Sequence, residues 1–183
     1  LLADVNNDST LAATVNSISF QTTSVAAGSA SAMSAGYGPG GLCWFLVNWK
    51  TRGTANWVPA SVTSSSAHVL AHAEGDAVAG MAFEIPQGTK LSQYRSIQIV
   101  AAVTVKNPSW TFLIQGVNET RGLIWSFSPQ NGTATYTIEL SQPTSTFNGS
   151  LGLDEIKRFE IVSPVGGSSD LEVNVTAVNF IGS

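Results

Sequence analysis

Residues 133–140 read TATYTIEL, and Ala134, Tyr136, Ile138 and Leu140 occupy every second position, with Thr133, Thr135, Thr137 and Glu139 between them. A period of two places one set of side chains on a buried face and the other on a solvated face, which only an extended strand can do. The same alternation runs through Leu171–Phe180, where Leu171, Val173, Val175 and Ala177 oppose Glu172, Asn174, Thr176 and Val178. Helical spacing is nearly absent. The nearest case is LGLDEIKRFEIV at 151–162, read as a short turn at 152–155 leading into a strand. Short β-branched or aromatic runs between Gly, Pro, Asn and Ser predict strands near 10–20, 42–48, 66–73, 78–85, 95–105, 110–117, 122–127, 133–140, 156–163 and 170–181.

Strands in this number, closely spaced and without a linker-like block between them, predict an all-β chain. It forms one domain over 1–183, a two-sheet antiparallel β-sandwich, and a jelly roll resolves the exposed-edge problem for so many strands. The Ser/Ala/Gly-rich stretch at 22–41 reads as a long loop.

Composition narrows the function. Charged residues make up 11% of the chain, well below the roughly 25% of an average soluble domain. Hydroxyls take their place, with 23 serines and 17 threonines, which suits a secreted β-protein. The net charge is −4 and there is no basic tail, so nucleic-acid binding lacks its electrostatic driving force. No apolar run is long enough to span a membrane as a helix. The single cysteine, Cys43, rules out an intrachain disulfide and sits in an apolar run that suits a core thiol. Sequons at Asn7, Asn118, Asn131, Asn148 and Asn174 mark candidate glycosylation sites on a secreted chain.

The second half has a recognisable order. GMAFEIP at 80–86 is followed by LSQYRSIQIVAAV at 91–103, WTFLIQGVNETRGLIWSF at 110–127 and ATYTIELSQ at 134–142, and the chain closes with LGLDEIKRFEIV and LEVNVTAVNFIGS. Over roughly 65–183 this resembles the jelly-roll carbohydrate-binding modules of the galactose-binding-like superfamily. The resemblance implies a non-catalytic module with a polysaccharide or glycan ligand, often attached to an enzyme domain. Many such modules hold a structural calcium with an Asp in the last strand. Here that place is Val178-Asn179-Phe180, so the resemblance does not supply the calcium ligand.

Sugar recognition needs a flat aromatic face for pyranose C–H groups and a few amide or guanidinium partners for hydroxyls. Tyr37, Trp49 and Trp57 are the aromatic candidates, and Arg52, Asn56 and Gln115 the polar ones. Gln115 lies inside an apolar strand, where its amide is either paired in the core or placed on a ligand face. Trp125 is in phase with Leu123 and Phe127, which predicts a core position. Asp4, Asn6 and Asp8 start like a calcium loop, but position 9 is Ser and position 15 Val where the full loop needs Gly and an acid. Structural calcium therefore stays an open reading, and no other cofactor is indicated.

Catalysis has the thinnest signal. His68 and His72 share one strand face as a zinc pair would, and Glu74, Asp76 and Glu84 are the acids nearest them. Two further function classes follow: a small jelly-roll lyase or glycoside hydrolase, and a self-assembling surface subunit such as a fibre or adhesin.

Overall fold

The structure, a computed structural model, describes residues 36–50, 55–75, 77–106, 111–163 and 168–182; for 48–50, 55–60 and 168–169 it describes the backbone alone. In chain order the strands are β1 (Gly36–Tyr37), β2 (Cys43–Lys50), β3 (Ala55–Thr63), β4 (Ser66–Glu74), β5 (Ala77–Glu84), β6 (Tyr94–Val105), β7 (Phe112–Val117), β8 (Gly122–Phe127), β9 (Thr133–Glu139), β10 (Ser145–Phe147), β11 (Arg158–Val162) and β12 (Ser168–Gly182). They form a seven-stranded sheet ordered β1-β2-β5-β11-β7-β8-β10 and a five-stranded sheet ordered β3-β4-β12-β6-β9. Every strand pair is antiparallel. This is the expected jelly-roll sandwich.

The core lies between the sheets and is built by the alternation read from sequence. Tyr136, Ile138, Leu171, Val173 and Val175 are buried, together with Trp44, Phe83, Phe112 and Phe159 from the facing sheet. Trp125 is buried as predicted, and its indole N–H donates to the Glu139 carbonyl at 2.9 Å. Trp44 satisfies its own N–H on the Pro39 carbonyl at 3.2 Å. Gly116 leaves the space that Ile156, Phe159 and Trp125 fill. A Cβ there would approach the first two within 3.0 Å.

Three differences from the sequence expectations have local causes. The alternation in β12 does not hold to its end: Val178 is buried and Ala177 is half-exposed. The register against β6 shifts between Val175 and Ala177, and the extra residue of this bulge reverses which side chains face the core. β3 is a strand that the sequence does not announce. It carries Pro59 at a register shift between Trp57 and Ala60, and it is an edge strand, where a missing N–H is tolerated. The edge strands β1 and β10 were also unanticipated. The 3-10 turn at Leu153–Glu155, by contrast, sits where the turn was expected and is capped by Glu155, whose carboxylate accepts from the Gly152 N–H at 2.7 Å. The strand expected at 10–20 lies outside the described residues.

Candidate functional site

In β2 the inward positions are taken by the buried Trp44 and its in-phase neighbours, which sends Cys43, Phe45 and Val47 to the outer face of the seven-stranded sheet. Register then lays out that face strand by strand. One row runs Phe45–Ala82–Glu160–Gln115–Ile124–Ser145. In the row beside it, Tyr37 pairs with Cys43, and Glu84 pairs with Arg158, which pairs with Val117. A third row is Val47–Gly80–Val162–Leu113–Ser126.

This face has a composition unlike an ordinary solvated sheet. Gln115 and Glu160 are neighbours across β7 and β11, at 2% and 3% exposure. The Glu160 carboxylate accepts from the Arg158 Nε–H at 2.7 Å. The Oε1 of Gln115 is buried and accepts no hydrogen bond. A buried polar atom without a partner costs about 1–3 kcal/mol, so its presence calls for an explanation. At the end of the face Tyr37 is 77% exposed, and Glu84 is exposed beside Arg158. Cys43 is half-buried; burial pushes its thiol pKa up and the Glu84 charge pushes it further, so it is not primed as a nucleophile.

The sequence candidates divide. Tyr37 and Gln115 share the outer face just described. Trp49 lies in β2 opposite Val78 in the same sheet, whereas Asn56 and Trp57 lie in β3 of the five-stranded sheet, opposite His72 and Ala71. The side chains of Trp49, Asn56 and Trp57, and all of Arg52, lie outside what is described. Glu160 and Arg158 were not singled out. Their signal was a charged pair two apart, and so on one face, within the otherwise apolar RFEIV strand.

Of the sequons, Asn131 is exposed in the turn before β9. The Asn118 side-chain oxygen accepts from the N–H groups of Thr120 and Arg121 at 3.0 and 2.8 Å, and Asn148 donates its amide to the Thr120 carbonyl at 2.8 Å. Asn174 lies on the outer face of β12, as the alternation predicts, but half-buried between His68 and Ala102 of the flanking strands. Asn7 lies outside the described residues, as do Asp4, Asn6 and Asp8 of the calcium-like stretch and Asp76.

His68 and His72 do share one face of β4, but each is engaged by carboxylates. His68 Nε2 meets Glu172 at 3.0 Å. His72 bonds Asp170 through Nδ1 and Glu74 through Nε2, the latter at 3.1 Å, and Asp170 also pairs with Lys106 at 3.2 Å. Among the described residues, no group of three or more His, Cys, Asp or Glu could hold a metal ion. A protonated imidazole donates from both nitrogens. The bond to Asp170, and then that to Glu74, therefore raises the His72 pKa above its ordinary 6.5. The His72 bond, then Lys106, lowers that of Asp170 below 3.8.

The linkage signs follow. The His72 contribution is fully present below 6.5 and is lost as pH rises through its raised folded value. The Asp170 contribution is present above 3.8 and is lost as pH falls through its lowered value. Thermal melts should therefore show a plateau between these limits and a decline on the alkaline side. His72→Gln should flatten that alkaline decline, and an unchanged slope in this variant would refute the assignment.

An open cavity of about 430 Å³ lies elsewhere, at the β7–β8 turn against the 3-10 turn, lined by Asn118, Glu119, Thr120 and 154–157. Its charges already serve one another: Lys157 bonds Glu119 at 2.7 Å, and Arg121 reaches Glu155 at 3.0 Å. The unfilled hydrogen-bonding capacity of Gln115 weighs more than concavity, and the outer sheet face is the stronger candidate.

No family model matches the chain, and no curated protein matches it by sequence. Solved structures do. One is a family 11 carbohydrate-binding module from Clostridium thermocellum in complex with a β-1,3-1,4-mixed-linked tetrasaccharide. It is 18% identical, with a TM-score of 0.50 over 76% of this chain and 89% of the module. Another is the family 11 module of a cellulosomal cellulase from the same organism, 17% identical, with a TM-score of 0.53 over 85% of this chain and 97% of the module. The likeness establishes the jelly-roll fold.

Proposed function

We propose that this protein is a non-catalytic carbohydrate-binding module whose glycan lies across the outer face of the seven-stranded sheet. The observation that carries the reading is the buried Gln115 Oε1 without a donor, flanked by the Arg158–Glu160 pair. An isolated acceptor of this kind is costly in the free protein and is satisfied when a ligand hydroxyl donates to it. Tyr37 offers an exposed ring on the same face for a pyranose C–H surface. Carboxylates outnumber the guanidinium there, which favours an uncharged polymer over an acidic one. The complex of the similar Clostridium module suggests a mixed-linked β-glucan as the first ligand to try. Low charge, abundant hydroxyls and the sequons, Asn131 above all, support a secreted glycoprotein that anchors a partner domain to its polysaccharide.

Calorimetric titration with β-1,3-1,4-glucan oligosaccharides tests this. Gln115→Met should lower affinity about tenfold. The same substitution should leave the fold equally or more stable, by up to about 1 kcal/mol, because a polar atom without a partner has been removed. Undiminished binding by Gln115→Met would reject the site.

A further inference from the structure

We infer that Glu160 is the positioning residue of this glycan site, holding the Arg158 guanidinium so that one sugar hydroxyl bridges its free N–H groups to the Gln115 acceptor, which they do not reach directly. The inference rests on the outer-face reading above and deepens it. Glu160 is a carboxylate on the exterior of a sheet that is nonetheless 3% exposed, set between Ala82 of β5 and Gln115 of β7. A buried ion pair is a weak way to gain stability, since apolar residues of similar volume commonly do as well or better. Orientation is what such a pair supplies.

The geometry is asymmetric in the manner that orientation requires. The carboxylate side chain is 5% exposed and the guanidinium side chain 31%, so the anion is sunk and the cation stands at the water boundary. The grip is on Nε, at 2.7 Å. An arginine has five N–H donors in a rigid plane, so holding Nε fixes the direction of the Nη groups. Glu160 cannot satisfy its neighbour Gln115, because a carboxylate and an amide oxygen are both acceptors. A sugar hydroxyl does what neither can: it accepts from Arg158 and donates to Gln115 Oε1. Across the adjoining pair Glu84 is an exposed acceptor for a second hydroxyl, one strand, about 4.8 Å, from Arg158. Glu160 thus acts through Arg158 and touches no sugar itself.

A double-mutant cycle tests this, with the mixed-linked tetrasaccharide titrated into wild type, Glu160→Gln, Arg158→Gln and the double variant. Each single change should weaken binding about tenfold, the worth of one charged hydrogen bond. The double variant should bind no worse than Arg158→Gln, because Glu160 has nothing left to position. Losses that multiply to about a hundredfold, or wild-type affinity in Glu160→Gln, would overturn the inference while leaving the site standing. Lack of binding by wild type would overturn the site and the inference together. A ligand-free readout covers poor folding of a variant. In wild-type ¹⁵N spectra the Arg158 Nε–H should be protected from solvent exchange, and fast exchange there would equally overturn the inference. Glu160→Asp, which keeps the charge, should recover part of the affinity lost in Glu160→Gln.

Discussion

Gly80→Ala is expected to unfold the protein or cost it more than about 4 kcal/mol, a magnitude reserved for a few severe mechanisms. Gly80 sits in β5, paired with Val162 of β11, at the middle of the seven-stranded sheet. A Cβ there would lie 1.9 Å from the Ile161 carbonyl oxygen, and 2.9 Å from both the Ile161 carbonyl carbon and the Val162 Cα. All three atoms are backbone, so no rotamer change relieves the contact. Ordinary overpacking costs about 1–3 kcal/mol because side chains give way. Here β11 itself has to move, and it is bonded to β7 on its other edge. The total stability of a domain is about 5–15 kcal/mol, so a loss of this size leaves little. Urea denaturation should show a collapsed midpoint or no cooperative transition. Gly88→Ala is the control. Its φ is +87° but nothing lies within 4 Å, so only conformational strain of about 1–2 kcal/mol applies. Equal midpoints for the two variants would discard the close-approach argument.

Phe159→Ala should cost about 3–5 kcal/mol. Phe159 is fully buried on the inner side of β11 and joins two aromatic neighbours. Its ring is stacked with Phe83 at 5.7 Å and tilted against Trp125 at 6.1 Å. Gly116, its partner on β7, supplies the space, so on that side no side chain can collapse into the cavity that removal of the ring leaves. Phe159→Leu keeps most of the volume and should cost less than half as much. A denaturation series with an unchanged slope and midpoints ordered wild type, Leu, Ala is the expected outcome. An Ala variant within about 1 kcal/mol of wild type would mean that the aromatic cluster is not the core of the sandwich.

The fold was legible because strand period is a local property. TATYTIEL and LEVNVTAV carry their facing in the order of their residues, and the structure keeps it up to the bulge at Thr176, which no local pattern announced. β3 carries no clear strand signal because Pro59 interrupts Ala55–Thr63, and only its edge position makes that proline tolerable. The candidate site was legible in part. Gln115 stands out as an amide in an apolar strand, and Tyr37 as an aromatic candidate near Trp49 and Trp57. The strands of Trp49 and Trp57, the other aromatic candidates, belong to different sheets, and their side chains lie outside what is described. Glu160 carries no local signal of its burial, because its neighbours Ala82 and Gln115 are brought beside it by non-local pairing.

β11 presents Phe159 to one side and Arg158 and Glu160 to the other, so one short strand serves both core and candidate site. Its amides are hydrogen-bonded on both edges, and strands so placed are expected to open last in native-state exchange. A ligand seated there meets groups that are already immobile, and the ordering cost of binding falls mainly on the sugar. Tolerance to sequence change should follow the same division: outward residues of β11 can drift with ligand choice, while its inward ring is held by folding itself.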